Sequence, residues 1–262
     1  VLSVAALLTA AVPAQADPRV GGDIGVAYER DYGGARGVLG EPLTPEIRTP
    51  NGRGAYVGFQ HGSIYWSPWT GAHAVRGELR NGWGRLGWEG GRLGFPKSSE
   101  RPTDSRRAVV QDFEGGRMYW TPSTGAHALQ GAILERYELR GDPENGRDII
   151  AEQALGFPTS SEIRTPNGKG AYNTFQWGAI YWEPQYGAHP IFGAIRSRWG
   201  REGWENGCLG FPITEEYSYE GYSTVQEFQG GWIWFHPSYG TEVDLYPRND
   251  PSYSRYGLYP RC

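Results

Sequence analysis

The tetrapeptide Leu93-Gly94-Phe95-Pro96 returns as Leu155-Gly156-Phe157-Pro158 and Leu209-Gly210-Phe211-Pro212, and in altered form as Leu39-Gly40-Glu41-Pro42. The four leucines stand 54, 62 and 54 residues apart. A recurring period of that size marks one supersecondary module that buries its apolar face on its neighbours. The fold of the chain therefore reduces to the fold of one unit.

Alignment on the tetrapeptide brings out the rest of the unit. Seven residues after each leucine stands a glutamate (Glu46, Glu100, Glu162, Glu216), with Thr44, Ser98, Ser160 or Thr214 two residues before it. A phenylalanine follows (Phe59, Phe113, Phe175, Phe228), then a glycine and the runs Ile64-Tyr65-Trp66, Met118-Tyr119-Trp120, Ile180-Tyr181-Trp182 and Ile233-Trp234-Phe235. A proline comes two residues later, and three copies then read Gly-Ala-His, with His73, His127 and His189; the fourth reads Gly240-Thr241-Glu242. Four units are cut at residues 20–74, 75–128, 129–190 and 191–243.

Within a unit an apolar residue precedes an aromatic one by four: Ile24 and Tyr28, Leu79 and Trp83, Ile133 and Tyr137, Ile195 and Trp199. That is the i, i+4 contact of a short helix, here of two or three turns because Gly and Pro close in on both sides. Gly and Pro make the tetrapeptide a corner. The run from Phe59 to Trp66 and its counterparts alternates as a strand with Ile64 and Trp66 inward and Tyr65 outward, and the Pro-x-x-Gly after it suits a turn into another strand. The expected class is mainly β with short helices.

Units one and three share Glu-Ile-Arg-Thr-Pro-Asn-Gly at 46–52 and 162–168, and the segments Trp83-Gly84-Arg85 and Gly87-Trp88-Glu89 return as Trp199-Gly200-Arg201 and Gly203-Trp204-Glu205. The offset is 116 throughout. Alternating unit orientation and recent duplication both account for it.

With 40 glycines and 19 prolines the chain would suit a low-complexity segment, but 14% aromatic residues argue for packed structure. A net charge of −4 with both signs interspersed gives no electrostatic footprint for nucleic acid or an anionic membrane. Residues 1–16, a small-apolar run closing on Ala14-Gln15-Ala16, read as an incomplete signal peptide, which would leave a mature N-terminus at 17–19. No second apolar run reaches the ~20 residues of a membrane span. The expected protein is secreted, without an integral membrane anchor. Cys208 and Cys262 fit an oxidising compartment. Cys208 replaces Val38, Arg92 and Ala154 of the other units, which points to a disulfide that ties the tail, 244–262, over the last unit.

No nucleophile elbow, zinc motif, phosphate loop or dinucleotide fingerprint occurs, and no cofactor or metal is expected. The acids of the insertion at 142–148 miss the calcium-loop spacing and read as a solvated loop. A group repeated in every unit is unlike the unique constellation of an active site, so the four glutamates and three histidines read as structural partners or repeated ligand contacts. Trp66, Trp120 and Trp182 read as core. Trp69, Trp177 and Trp232 lack aromatic counterparts in most other units. With Tyr65, Tyr119 and Tyr181 and the nearby glutamates and histidines, they suit carbohydrate: a sugar's apolar face stacks on a ring while its hydroxyls take directed hydrogen bonds. Protein contact would use the same side chains.

On the pattern Leu-Gly-Phe-Pro, Thr/Ser-x-Glu, Phe-x-x-Gly-x-Ile-Tyr-Trp-x-Pro-x-x-Gly-Ala-His, the chain resembles the LGFP repeat family over residues 20–243. The resemblance implies an actinobacterial cell-envelope protein, of a kind often appended to mycoloyltransferases or amidases. It also implies a non-catalytic module that binds the arabinogalactan-peptidoglycan wall. The implied architecture is a tandem array of four units stacked as an elongated stalk, with a closed four-bladed propeller as the alternative. A cell-wall hydrolase or esterase accessory and a protein-binding scaffold for envelope enzymes stand as alternative functions. Glu41 and the fourth unit's lack of Gly-Ala-His depart from the pattern, as end units do when one face meets no neighbour.

Overall fold

The computed structural model describes residues 20–139 and 154–247. The expected signal segment at 1–16, the insertion at 142–148, and the tail beyond residue 247, with Cys262, lie outside the described residues.

Four helices each precede a four-stranded antiparallel meander. α1 (Gly22–Tyr32) leads into β1 (Ile47–Arg48), β2 (Ala55–Phe59), β3 (Gly62–Ser67) and β4 (Gly71–Arg76). α2 (Gly77–Arg85) leads into β5 (Arg101–Pro102), β6 (Val109–Phe113), β7 (Gly116–Thr121) and β8 (Gly125–Leu129). α3 (Gly131–Glu138) leads into β9 (Ile163–Arg164), β10 (Ala171–Thr174), β11 (Gly178–Glu183) and β12 (Gly187–Phe192). α4 (Gly193–Arg201) leads into β13 (Tyr217–Tyr219), β14 (Ser223–Phe228), β15 (Gly231–His236) and β16 (Gly240–Leu245). The chain divides into two compact bodies at Ala74 and Val75, inside β4. Each helix opens on a glycine at positive φ: Gly22, Gly77, Gly131 and Gly193 lie between 48° and 58°, and at the last three a strand turns into the helix. An L side chain is disfavoured there, so the corner is a fixed glycine position.

The tetrapeptide is a hydrogen-bonded corner. Its leucine is buried, and its glycine holds φ between 66° and 72° in all four units. The glycine carbonyl accepts the polar atom of the helix aromatic: Tyr28 Oη donates to Gly40 O at 2.9 Å, Trp83 Nε1 to Gly94 O at 3.2 Å, Tyr137 Oη to Gly156 O at 3.0 Å and Trp199 Nε1 to Gly210 O at 3.0 Å. The next backbone N–H donates to the side chain that follows the strand phenylalanine: Gln60, Glu114, Gln176 or Gln229, at 2.9–3.1 Å. The proline forms a lone β-bridge to that phenylalanine. Helix, corner and sheet are thereby keyed together through three points.

The first body has its own core, in which Ile24 and Tyr28 of α1 pack with Leu39, Val57, Phe59 and Ile64. In the second body the cores form between successive sheets. Tyr119 of β7 joins Ile133 and Tyr137 of α3, Leu155, Phe157, Phe175 and Ile180 in one cluster. Tyr181 of β11 joins Ile195 and Trp199 of α4, Leu209, Phe211, Phe228 and Ile233 in the next. α3 and α4 are thus each shared by the sheet before and the sheet after.

This overturns the one-sided reading of the third strand. Tyr65, Tyr119 and Tyr181, expected to face outward, are only 5–6% exposed. Tyr119 meets Tyr137 edge-on at 5.4 Å and Tyr181 meets Trp199 edge-on at 4.7 Å, because the following helix covers what would be the solvent face. Tyr65 stacks on Tyr56 at 5.0 Å. Trp66, Trp120 and Trp182 are correspondingly half-buried at the rim, and Trp66 Nε1 donates to Asp23 at 2.8 Å.

A buried carboxamide locks the third sheet to the second and the fourth to the third. Asn173 Nδ2 donates to Ala128 O of β8 at 3.0 Å and to Ser160 O at 2.9 Å. Gln226 Nε2 donates to Pro190 O of β12 and Thr214 O, each at 2.9 Å. Gln111, in the same register, donates to Ser98 O at 2.9 Å. All three are fully buried, so each N–H must find an acceptor. The first sheet carries Val57 at this register. Phe157 and Phe211 likewise pack toward the preceding sheet, beside Arg107 and Gly170, whereas Glu41 of the first tetrapeptide is exposed.

Cys208 is half-buried, its carbonyl oxygen lying where a Cβ on Gly230 would sit. A bond from it to Cys262 would close a loop of about 54 residues and stabilise the fold by about 4 kcal/mol in the chain-entropy picture. Thiol titration of the unfolded, unreduced protein is expected to find no reactive thiol. Two would exclude the bond.

Candidate functional site

The repeated polar residues are engaged within the fold. Nε2 of His73, His127 and His189 lies 2.7–2.8 Å from the carbonyl oxygens of Thr70, Thr124 and Tyr186, each three residues earlier in the same hairpin turn. A carbonyl only accepts, so Nε2 carries the proton. Burial holds the His127 and His189 imidazoles below the usual histidine range, against the opposing pull of that bond. These histidines brace turns through Nε2. Among the described residues no group of three or more His, Cys, Asp or Glu could hold a metal ion.

The repeated glutamates divide. Glu100 pairs with Arg76, and Glu162 pairs with Arg92 at 2.5 Å across 70 residues of chain. In the fourth unit the neighbouring Glu215 pairs with Arg136 of α3, while Glu216 is half-buried and Glu46 is exposed. Such half-exposed pairs are worth no more than about 1 kcal/mol each, but they occupy the carboxylates. Glu100 and Glu162 serve as links within the second body.

Three tryptophans remain from the expected surface. Trp69 is 70% exposed in the β3–β4 turn, with the Arg53 guanidinium 5.3 Å from its ring centre. Arg53 stands on a rigid loop: Thr49 Oγ1 donates to Gly54 O at 3.0 Å, and Asn51 Oδ1 accepts the Arg53 N–H at 3.0 Å. Trp177 is 51% exposed in the β10–β11 turn, its backbone held by the bond to Leu155 O at 2.9 Å. Trp232 is different. Its Nε1 donates to Asp244 at 3.2 Å and its ring meets Tyr246 edge-on at 5.0 Å, so it is half-buried over β16. Trp69 and Trp177 lie in different bodies.

Sequence reasoning missed Trp88 and Trp204. Each opens a single 3-10 turn just after a helix and holds positive φ, 54° and 53°. For a bulky L residue such a conformation costs about 1–3 kcal/mol. The ring lies against the helix it follows: a Cβ on Gly84 or Gly200 would sit 2.6 Å from it. The guanidinium of Arg80 or Arg196, one helical turn earlier, lies 5.1 or 5.4 Å from the ring centre. Edge-on contact with Trp83 or Trp199 completes the seat, at 5.4 and 5.2 Å. Trp204 is still 36% exposed and Trp88 is half-exposed, while the next residues, Glu89 and Glu205, are 6% and 2% exposed. The available signal was the return of Gly-Trp-Glu at the 116-residue offset, where the repeat core needs no aromatic.

Comparison with curated proteins finds no match. Among solved structures, a selenomethionine-substituted virginiamycin B lyase from Staphylococcus aureus is 8% identical over 80% of this chain and 57% of its own, with a TM-score of 0.14. This chain thus spans a little over half of that protein's length. A hemopexin fold protein, CP4, from cow pea is 12% identical over 76% of this chain and 89% of its own, with a TM-score of 0.17. Likenesses that weak carry no argument about fold or function. The LGFP repeat profile, by contrast, matches residues 39–91, 93–144 and 155–207, more than half of the chain and each match beginning at or near a tetrapeptide. The chain belongs to the LGFP repeat family.

Proposed function

We propose that this chain is a non-catalytic cell-wall-binding protein, exported to the envelope and held there by contact with arabinogalactan-peptidoglycan polysaccharide. The observation that carries the reading is Trp69, an indole 70% exposed beside a guanidinium on a loop fixed by its own hydrogen bonds. Trp177 adds a second exposed ring on a hairpin turn. Rigid aromatic side chains lose little entropy on binding and offer a flat apolar face with polar neighbours, which suits a pyranose or furanose ring. Stacking of the units as an elongated stalk, as against a closed four-bladed ring, is part of the same proposal. Small-angle scattering tests it by the maximum dimension.

Pull-down with isolated walls tests the function. The protein is expected to be retained, and retention should fall when arabinan and galactan are stripped from the walls. Replacing Trp69 and Trp177 together with alanine should weaken retention about tenfold or more, with the melting temperature nearly unchanged, since neither ring packs in a core. Retention indifferent to stripping would overturn the polysaccharide reading and favour a protein scaffold. Sugars or peptides released into the supernatant would favour a hydrolase.

A further inference from the structure

Resting on that reading, we propose that Trp88 and Trp204 are twin sugar-stacking platforms, each served by its own guanidinium, Arg80 or Arg196, and set two units apart in one body. The first unit shows that the fold does not need them. There the backbone makes the same left-handed turn with Gly34, at φ 60°, and the helix position equivalent to Gly84 is Glu29, whose carboxylate fills the space over Gly34. Glycine adopts that conformation without strain and glutamate suits a helix interior. The second and fourth units reverse both choices. They place glycine inside the helix and tryptophan where glycine would be relaxed, and the product is an indole lying along the helix surface.

Core packing does not explain the exchange, because Trp204 remains 36% exposed. Residues 80 and 84, like 196 and 200, are one turn apart on one helical row. Guanidinium and glycine therefore stand side by side on one helical row, next to the ring. Arg196 adds a polar group in want of a partner: its Nε is buried and bonds nothing among the described residues. A partly exposed indole takes the apolar face of a sugar ring, and the guanidinium beside it donates to ring hydroxyls. Two equal platforms on one body would engage one polymer at two points, so that the second contact forms at high effective concentration.

The test uses the first unit's own solution: Trp88→Gly, Trp204→Gly and the double variant in the full chain, with circular dichroism and melting as folding controls. Binding is read by wall retention and by titration with soluble arabinogalactan fragments, followed by intrinsic fluorescence. Each single replacement should weaken binding about tenfold and the double variant more than either, with the native far-ultraviolet spectrum retained. Arg196→Leu should weaken binding while leaving Trp204 in place. Wild-type retention matched by the double variant would overturn the platforms and leave wall binding by Trp69 and Trp177 standing. Wild-type protein that neither walls nor fragments retain would overturn both. If the glycine variants lose the native spectrum, Arg196→Leu and the fluorescence titration of wild type decide: unchanged affinity in the former, or no spectral change in the latter, rejects the proposal.

Discussion

Trp199→Ala is expected to destabilise the second body by about 3–5 kcal/mol, the range for large aromatic side chains removed from a core. The ring is fully buried and serves two sheets at once, edge-on to Tyr181 before it and tilted on Phe228 after it. It also carries the hydrogen bond to Gly210 O that holds the tetrapeptide corner, and it supports Trp204 from beneath. Its removal leaves a cavity and an orphaned carbonyl together. Urea unfolding followed by far-ultraviolet circular dichroism should show a large fall in midpoint. A change below about 1 kcal/mol would show that the corner and the shared core do not depend on this residue. Trp69→Ala, with the same loss of volume at the surface, is the matched control.

Asn173→Asp should be comparably severe at neutral pH and should depend on pH. The side chain is fully buried and both of its donated bonds end on carbonyl oxygens, Ala128 O and Ser160 O. A carboxylate offers those oxygens no proton and repels them, at a cost of about 3–5 kcal/mol for an uncompensated buried charge. The protonated acid can still donate one bond. Burial and the two carbonyls therefore raise the folded-state pKa of the introduced aspartate above its unfolded value. The sign follows: the variant is most stable below the unfolded aspartate pKa and loses stability as pH rises through the folded value. Wild type should lack this component. Equal midpoints for the variant at pH 4 and pH 7, relative to wild type, would contradict the assigned donor role.

Much of the unit was legible because its signals are local. The four-residue spacing of Ile195 and Trp199 is helical geometry, and the glycine and proline of Leu209-Gly210-Phe211-Pro212 are backbone requirements, so both lie in the same places in the fold. Tyr119 was misread because alternation identifies a one-sided strand only if the other side meets water, and the cover, Tyr137, belongs to the next unit. The same distance hid the role of Glu162, whose arginine stands 70 residues away. Trp88 and Trp204 were illegible as turn residues for a different reason: tryptophan has no propensity for positive φ, and only neighbouring glycines reveal the space it takes.

The bond from each helix aromatic to its tetrapeptide carbonyl also decides where such a chain can be cut. The family match at 39–91 runs from one tetrapeptide to the end of the following helix segment, so a fragment ending there would carry Trp83. It would lack Gly94 O, which accepts the Trp83 indole proton, and Phe113, which packs on the ring at 5.5 Å. The segment that can be recognised in sequence, and copied by recombination, is therefore out of phase with the segment that can fill its own interior. A boundary at the strand-to-helix glycine, such as Gly77 or Gly193, keeps each helix indole with the carbonyl that accepts its proton. A boundary placed at the leucine leaves an indole with its acceptor on the discarded side.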